Sequence, residues 1–83
     1  MQVIITPKAL RQYQHLSKPD QSKIRKRLLI LEKNPQEGKK LSGKLLGIRS
    51  LKAWPYRIIY LIDRKQKQIF VITIAHRQGA YSK

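Results

Sequence analysis

The chain has 83 residues, 41% of them hydrophobic, and its 19 Lys and Arg outnumber four Asp and Glu to give a net charge of +15. This length predicts a single domain with a small core, and the apolar content is too high for a disordered tail. The sequence contains no cysteine, which excludes disulfides and thiolate metal sites. We find no signal-peptide pattern and no apolar stretch near the roughly 20 residues of a membrane span, so we expect a cytoplasmic protein with no membrane partner.

The net charge predicts a polyanionic partner. Solubility alone calls for a net charge of about 2 to 8 in a small domain, and +15 is well beyond that range. RNA, DNA, an acidic protein or anionic lipid would all be attracted to such a surface.

The sequence opens with a strand and a helix. Residues 3–5 form the β-branched run Val-Ile-Ile, which is typical of a strand. Thr6 followed by Pro7 predicts a helix start, because threonine is a favoured N-cap and proline suits the first helical position. Apolar side chains then recur at helical spacing, at Leu10, Tyr13 and Leu16.

A second helix is predicted from about Asp20 to Lys33, after a break at residues 17–20. Ile24, Leu28 and Leu31 lie on one stripe of this helix, and basic residues occupy the other side. Asn34-Pro35 ends it, since the residue before a proline is biased away from the helical conformation. The two helices are therefore expected to form a hairpin.

The remainder of the chain predicts a sheet. A basic segment anchored by leucines, residues 35–47, is interpreted as a loop. Three strand patterns joined by short turns follow, at residues 48–53, 56–63 and 68–75. Short turns between consecutive strands imply an antiparallel meander. The expected fold is α+β: one domain, residues 1–83, forms a two-layer sandwich in the order β-α-α-β-β-β, with the helix hairpin on one face of the sheet.

Alternation along the strands sorts the two faces of the predicted sheet. The face expected to meet the helices carries Ile58, Tyr60 and Ile62 on one strand and Phe70, Ile72 and Ile74 on the next. Arg57 and Arg77 fall on the opposite face, where Lys52 can join them. The sequence thus predicts a cationic surface on the side of the sheet away from the helices.

The last predicted strand leads directly into the segment His76-Arg77-Gln78-Gly79-Ala80-Tyr81. Three of its side chains are chemically useful on RNA. Arginine is a permanent cation, histidine titrates near neutrality, and tyrosine can stack on a base or share a proton.

Three segments of the chain resemble the RelE/ParE toxin superfamily. Leu41-Ser42-Gly43 is similar to its L-x-G motif, residues 48–60 to its middle hairpin, and residues 74–81 to its terminal HRxxxY signature. The resemblance covers essentially the whole chain, with matching length and element order. It implies the toxin half of a type II toxin–antitoxin system, with a cognate acidic antitoxin as partner in a toxin–antitoxin hetero-oligomer.

The resemblance implies one of two activities. RelE-type members cut mRNA in the ribosomal A site, whereas ParE-type members share the fold, lack the cutting residues and inhibit DNA gyrase. Because Arg57, His76, Arg77 and Tyr81 are present, we expect a ribosome-dependent mRNA endoribonuclease. A ParE-like gyrase inhibitor and a plain nucleic-acid-binding module remain the alternatives.

RNA can be cut without a metal, by attack of its own 2′-hydroxyl on the adjacent phosphate. The reaction needs a base, an acid and positive charge at the phosphorane. Arg57 and Arg77 can hold the phosphate, His76 can exchange a proton, and Tyr81 can stack on a base or assist the proton transfer. The four acidic residues are scattered along the sequence, so neither a metal nor another cofactor is expected.

The identity of the general base is left open. Some members of the superfamily carry two lysines on the first meander strand, whereas the corresponding positions here are Ile48 and Ser50, and only Lys52 is basic. Because of this departure, we expect His76 to be the first candidate for the general base and Lys52 the second. His76 has the opposite strand parity to Arg77, so we expect the strand to end or twist at residue 75.

Each candidate also has a structural interpretation. Arg57 and Arg77 could be ordinary surface arginines, His76 could cap a strand, and Tyr81 could pack on the sheet. Further phosphate contacts, on mRNA or on ribosomal RNA, would give affinity without sequence preference. They are expected from Lys23, Lys26, Lys44, Arg49 and Lys52.

Overall fold

The structure, a computed structural model, describes residues 1–41 and 47–76. Its elements in chain order are β1 (Gln2–Ile5), α1 (Pro7–Gln14), α2 (Lys18–Lys33), β2 (Lys39–Lys40), β3 (Ile48–Ala53), β4 (Tyr56–Asp63) and β5 (Gln68–His76). Two helices pack on one face of a five-stranded sheet, which confirms the expected α+β sandwich. Within residues 1–41 and 47–76, no helix has the length and apolar character needed to cross a membrane.

Both helices begin at hydroxyl caps. The Thr6 side chain accepts a hydrogen bond from the Ala9 N–H at 3.4 Å, and Ser17 accepts one from Asp20 N–H at 3.4 Å. α2 therefore begins at Lys18, before the predicted start at about Asp20, because a proline is tolerated in the first turn once Ser17 caps it. The end of α2 at residue 33 agrees with the sequence prediction.

The sheet order is β1-β5-β4-β3-β2. β3, β4 and β5 form the predicted antiparallel meander. β1 lies at one edge, parallel to β5, so the sheet is mixed. At the other edge, where a loop was predicted, the two residues of β2 pair with Ser50 and Arg49 of β3. A strand of two residues carries too little periodicity to be read from a sequence.

A β-bulge interrupts the pairing of β4 and β5. Ile59 pairs with Thr73 and the next residue, Tyr60, pairs with Val71, so Ile72 is passed over in the register. An extra residue on one strand reverses the alternation of its side chains between the two faces.

The bulge corrects the face assignment on β5. Ile69 and Val71 are fully buried beneath the helices together with Ile74. The prediction that Phe70 and Ile72 meet the helices is therefore wrong, and both are only partly buried. The same prediction for Ile74 is right, because Ile74 follows the bulge.

Side chains from α1 bind the backbone of β5 on either side of the bulge. The Thr6 hydroxyl donates to the Val71 carbonyl at 2.8 Å, and the Gln12 amide oxygen accepts from Ile74 N–H at 2.7 Å. Gln12 also exchanges hydrogen bonds with the Thr73 hydroxyl at 2.9–3.0 Å. These bonds satisfy backbone groups that the irregular pairing removes from the ladder.

The core lies between the helices and one face of the sheet. Its buried members are Ala9, Ile24, Leu31, Leu51, Ala53, Ile58, Tyr60, Ile62, Ile69, Val71 and Ile74. Ile24 and Leu31 belong to the predicted stripe of α2, and the third member of that stripe, Leu28, packs against the core. Residues of the opposite parity on β3 and β4 consequently project from the face away from the helices.

Candidate functional site

Lys52 and Arg57 lie directly opposite each other on β3 and β4. Their chain neighbours Leu51, Ala53 and Ile58 are buried in the core, so both cationic side chains project from the open face of the sheet. Directly opposed residues have Cβ atoms about 4.5–5.5 Å apart. The structure thus brings together two of the cations that the sequence predicts for this surface.

On its other side, Arg57 pairs with Ala75 of β5, and His76 is the next residue along that strand. β5 continues through His76, which pairs with Tyr56. The expected strand end at Ala75 is therefore wrong, and the alternative, a twist at that residue, stays a prediction. The imidazole of His76 meets the ring of Tyr56 edge-on, with centroids 5.4 Å apart and an interplanar angle of 90°. Because Tyr56 has the parity of the core residues, His76 lies on the helix side of the sheet.

Tyr56 links the end of the sheet to α2. Its hydroxyl donates to the Asp20 carboxylate at 2.8 Å, and Lys23 lies 3.7 Å from the other oxygen of that carboxylate. The hydrogen bond to Asp20 raises the pKa of Tyr56, and partial burial adds to that effect. The ring of His76 is therefore held against a phenol that is itself fixed by α2.

Arg49 has a structural role in the fold. It pairs with Tyr60 in the register and so lies on the helix side of β3. Its guanidinium donates to the carbonyl of Gly38 at 2.7 Å and to that of Gln36 at 3.4 Å. The sequence groups Arg49 with the RNA-contacting cations, whereas the structure uses it to hold the segment that precedes β2.

The buried hydroxyl of Tyr60 holds the same segment. It donates to the Pro35 carbonyl at 2.7 Å and accepts from the Gly38 N–H at 2.9 Å. Burial raises the pKa of Tyr60, and the Gly38 N–H offsets part of this effect. A Cβ atom on Gly38 would lie 2.5 Å from the Tyr60 hydroxyl oxygen. The Gly38 backbone and the Tyr60 side chain therefore approach too closely for any other residue type at position 38.

The remaining predicted site residues separate into two groups. Lys23 and Lys26 are exposed on α2, and Lys23 also donates to the Trp54 carbonyl at 3.4 Å. Lys44, Arg77 and Tyr81 lie outside the described residues, as do residues 42 and 43 of the L-x-G motif. Among the residues that the structure does describe, no three His, Cys, Asp or Glu side chains form a group that could hold a metal ion.

Sequence reasoning missed the environment of Ser50 and Lys39. Ser50 pairs with Ile59 on one side and with Lys39 on the other, two residues before Lys52 on the same face. The residue is buried, at 6% relative exposure. The sequence identifies Ser50 only as a position where relatives carry a lysine, because the strand that covers its outer side is too short to predict.

Comparisons with known proteins agree with this architecture. The family model described as ParE toxin of type II toxin-antitoxin system, parDE, matches residues 3–81. Comparison with the curated proteins gave no match.

Three solved structures illustrate the similarity. The isolated RelE toxin of E. coli has a TM-score of 0.81 at 22% identity, covering 90% of this chain and 82% of that chain. The toxin-antitoxin complex RelBE2 from Mycobacterium tuberculosis gives 0.82 at 26% identity, with coverage of 92% and 96%. The archaeal RelE-RelB complex from Pyrococcus horikoshii OT3 gives 0.80 at 26% identity, with coverage of 95% and 97%.

The family model spans nearly the whole chain, and the helix hairpin on a five-stranded sheet is the fold of the RelE structures. Both findings confirm the resemblance carried by the middle hairpin and the terminal motif. The chain therefore belongs to the ParE toxin family of the RelE/ParE superfamily and is the toxin of a type II toxin–antitoxin system.

Proposed function

We propose that this toxin is a metal-independent endoribonuclease that cuts mRNA on the ribosome. The observation that carries the proposal is the direct opposition of Lys52 and Arg57 on the open face of the sheet. We place the scissile phosphate between these two side chains. The ammonium and guanidinium groups would balance the charge that the phosphorane gains as the 2′-hydroxyl attacks.

Two physical arguments support a functional role for this pair. Directly opposed residues on neighbouring strands lie close together, so the positive charges of Lys52 and Arg57 reinforce each other and attract an anion such as a phosphate. Each is also flanked in the chain by buried core residues, Leu51 and Ala53 or Ile58. A cation on a rigid strand is preorganised for its ligand, and a guanidinium can bind a phosphate through two parallel hydrogen bonds.

The position of His76 changes the catalytic roles that we expect for it and for the two cations. Its imidazole packs on Tyr56, on the other side of the sheet from Lys52 and Arg57. We therefore propose that the two cations provide the larger part of the rate enhancement and that His76 has an auxiliary role in proton transfer at the end of β5. Arg77 and Tyr81 follow His76 in the chain and remain predicted participants, as a phosphate ligand and a base-stacking or proton-sharing group.

The partners proposed for the toxin are an acidic antitoxin and mRNA on the ribosome. The relatives from M. tuberculosis and P. horikoshii were solved as toxin–antitoxin complexes. A net charge of +15 suits an acidic antitoxin in such a hetero-oligomer. Lys23 and Lys26, exposed on α2, are proposed to contact ribosomal RNA phosphates.

A second candidate function is inhibition of DNA gyrase without cleavage of nucleic acid. The observation that favours it is the family model, which carries the ParE name. Under this alternative the cationic face would be a binding surface, and Lys52 and Arg57 would contribute affinity with no effect on a chemical step.

Induction of the toxin in cells, followed by mapping of new RNA 5′ ends, separates the two functions. Nuclease action predicts new ends inside translated codons within minutes of induction, and their loss in Arg57→Ala. Arg64→Ala is the matched control, because Arg64 is an exposed arginine in the turn after β4. Intact mRNA together with DNA breaks would contradict the nuclease and support the gyrase inhibitor.

A further inference from the structure

A pocket opens at the edge of β3, beyond the point where the short strand β2 ends. Its volume is about 300 Å³. Cations from four elements reach it: Arg27 from α2, Lys39 from β2, Lys52 from β3 and Arg57 from β4. It thus adjoins the Lys52–Arg57 pair but extends away from it, towards β2 and α2.

The side chain of Ser50 lines this pocket and has an unusual environment. It is 6% exposed, and its hydroxyl oxygen is buried with no hydrogen-bond partner among residues 1–41 and 47–76. Buried hydroxyls are nearly always hydrogen-bonded in native proteins, so an orphan among cations calls for an explanation. A ligand that accepts hydrogen bonds and carries negative charge would satisfy the hydroxyl and would be attracted by the cations around it.

The charges around the pocket favour an anion that can accept several hydrogen bonds at once. Among the described residues that line the pocket, Glu37 is the one with a carboxylate. That carboxylate accepts a hydrogen bond from the Asn34 side chain at 3.0 Å, within the turn after α2. A phosphate offers several strong acceptor oxygens, enough for a hydroxyl and more than one cation at once.

We infer that this pocket, with Ser50 and Lys39 at its centre, binds the RNA phosphate next to the one that is cleaved. The inference rests on the proposed function. Ser50 and Lys52 are two residues apart on the same face of β3, a separation of about 7 Å along the strand. One nucleotide step of an extended RNA strand bridges such a distance, so a phosphate at the Lys52–Arg57 pair places its neighbour in the pocket.

Ser50 and Lys39 are positioning residues in this scheme. They fix the register of the RNA strand on the sheet and do not touch the reacting atoms. The rival occupant is a carboxylate of the antitoxin, which the experiment below distinguishes.

The test uses the full-length toxin and a five-nucleotide RNA in which 2′-deoxy sugars prevent cleavage. A series of these oligonucleotides carries one neutral methylphosphonate at each linkage in turn. Binding is measured at fixed salt for the wild type, Ser50→Ala and Lys39→Gln, with Lys65→Gln as control because Lys65 is an exposed lysine in the turn after β4.

The inference predicts that Ser50→Ala weakens binding of the all-phosphate RNA by about tenfold, as expected for a hydrogen bond to a charged group. One methylphosphonate, at a single linkage, should weaken wild-type binding at least as much, because it removes the charge near Lys39 as well as an acceptor oxygen for Ser50. It should also abolish the difference between Ser50→Ala and wild type. Lys39→Gln should show the same dependence on that linkage, and Lys65→Gln should show none.

Three results would overturn the pocket assignment. The effects of Ser50→Ala could be equal at every linkage, or the variant could bind RNA like the wild type while losing affinity for an acidic antitoxin peptide. A lower melting temperature for Ser50→Ala would show that the hydroxyl has a structural partner. Cleavage is assayed separately on all-ribose mRNA, so a failure of the nuclease proposal is distinct from a failure of the pocket.

Discussion

Lys52 on β3 and Arg57 on β4 are direct register partners on the open face of the sheet. Both side chains project from the open face, and their chain neighbours Leu51, Ala53 and Ile58 form the core. The consequence is that neutralising either cation should reduce activity while the core beneath the pair stays intact.

Arg57→Ala and Lys52→Gln should each reduce mRNA cleavage by about a hundredfold or more, the usual effect of removing a group that stabilises transition-state charge. Thermal unfolding of Lys52→Gln should occur at the same temperature as in the wild type or at a higher one. Cleavage at the wild-type rate by folded Arg57→Ala protein would refute the assignment, and Arg64→Ala reports the effect of removing an exposed arginine elsewhere.

His76 should matter less than Arg57. Its ring contacts Tyr56 on the helix side of the sheet, so His76→Ala should lower the cleavage rate by about tenfold, less than the factor usual for a principal acid or base. Single-turnover rates of the two variants under identical conditions provide the comparison. A loss for His76→Ala as large as that for Arg57→Ala would show that the imidazole reaches the phosphate.

The hydroxyl of Tyr60 should make a measurable contribution to stability. Tyr60→Phe leaves the Pro35 carbonyl and the Gly38 N–H without the bonds that they make in the core. Loss of these bonds should lower the free energy of unfolding by about 1–3 kcal/mol, as measured by urea denaturation. Tyr13→Phe is a matched control, because the Tyr13 hydroxyl accepts from the exposed Arg25 side chain. Equal effects of the two variants would contradict the structural role of Tyr60.

Tyr60 should also make the stability of the protein fall as the pH becomes alkaline. Burial raises the pKa of Tyr60 in the folded protein above the unfolded value of about 10. Its contribution to stability is therefore complete below pH 10 and is lost as the pH rises through the higher, folded-state pKa. Melting temperatures measured from about pH 8 to pH 11 should fall more steeply for the wild type than for Tyr60→Phe. Parallel curves would mean that the phenol ionises equally in both states.

Gln12 should stabilise the bulge on β5. Its amide oxygen accepts from the Ile74 N–H, and the Thr73 hydroxyl bonds to the same side chain. Gln12→Leu should lower the free energy of unfolding by about 1–3 kcal/mol, because it leaves a partly buried backbone N–H unsatisfied. Hydrogen exchange at Ile74 should accelerate in this variant, whereas exchange at Ile58 on β4 should follow global unfolding only. Unchanged exchange at Ile74 would contradict the proposed role of Gln12.

Regular periodicity explains which parts of the fold could be predicted. The strand limits of β3 and β4 agree with the structure to the residue, because strict alternation and sharp turns define them. The stripe of α2 was equally clear, since Ile24 and Leu31 are spaced for one face of a helix. The Lys52–Arg57 opposition follows from the same alternation and from the short turn between their strands.

The parts of the fold that could not be predicted from the sequence depend on tertiary interactions. The bulge at Ile72 depends on bonds from α1, and nothing in the local sequence of β5 marks it. The bulge places Phe70 on the face of the sheet opposite to the one predicted from alternation. β2 is defined by its pairing with Arg49 and Ser50 and not by its own two residues. The buried state of Ser50 depends on that pairing and was therefore also hidden from the sequence.

The most direct test of the central claim is the chemistry of the RNA ends that the purified toxin makes on mRNA-programmed ribosomes. Attack by the 2′-hydroxyl predicts a 2′,3′-cyclic phosphate on the upstream fragment and a 5′-hydroxyl on the downstream one. It also predicts no cleavage when the attacking nucleotide is 2′-deoxy or when Arg57 is replaced by alanine. Intact mRNA, or fragments that begin with a 5′-phosphate, would contradict the account.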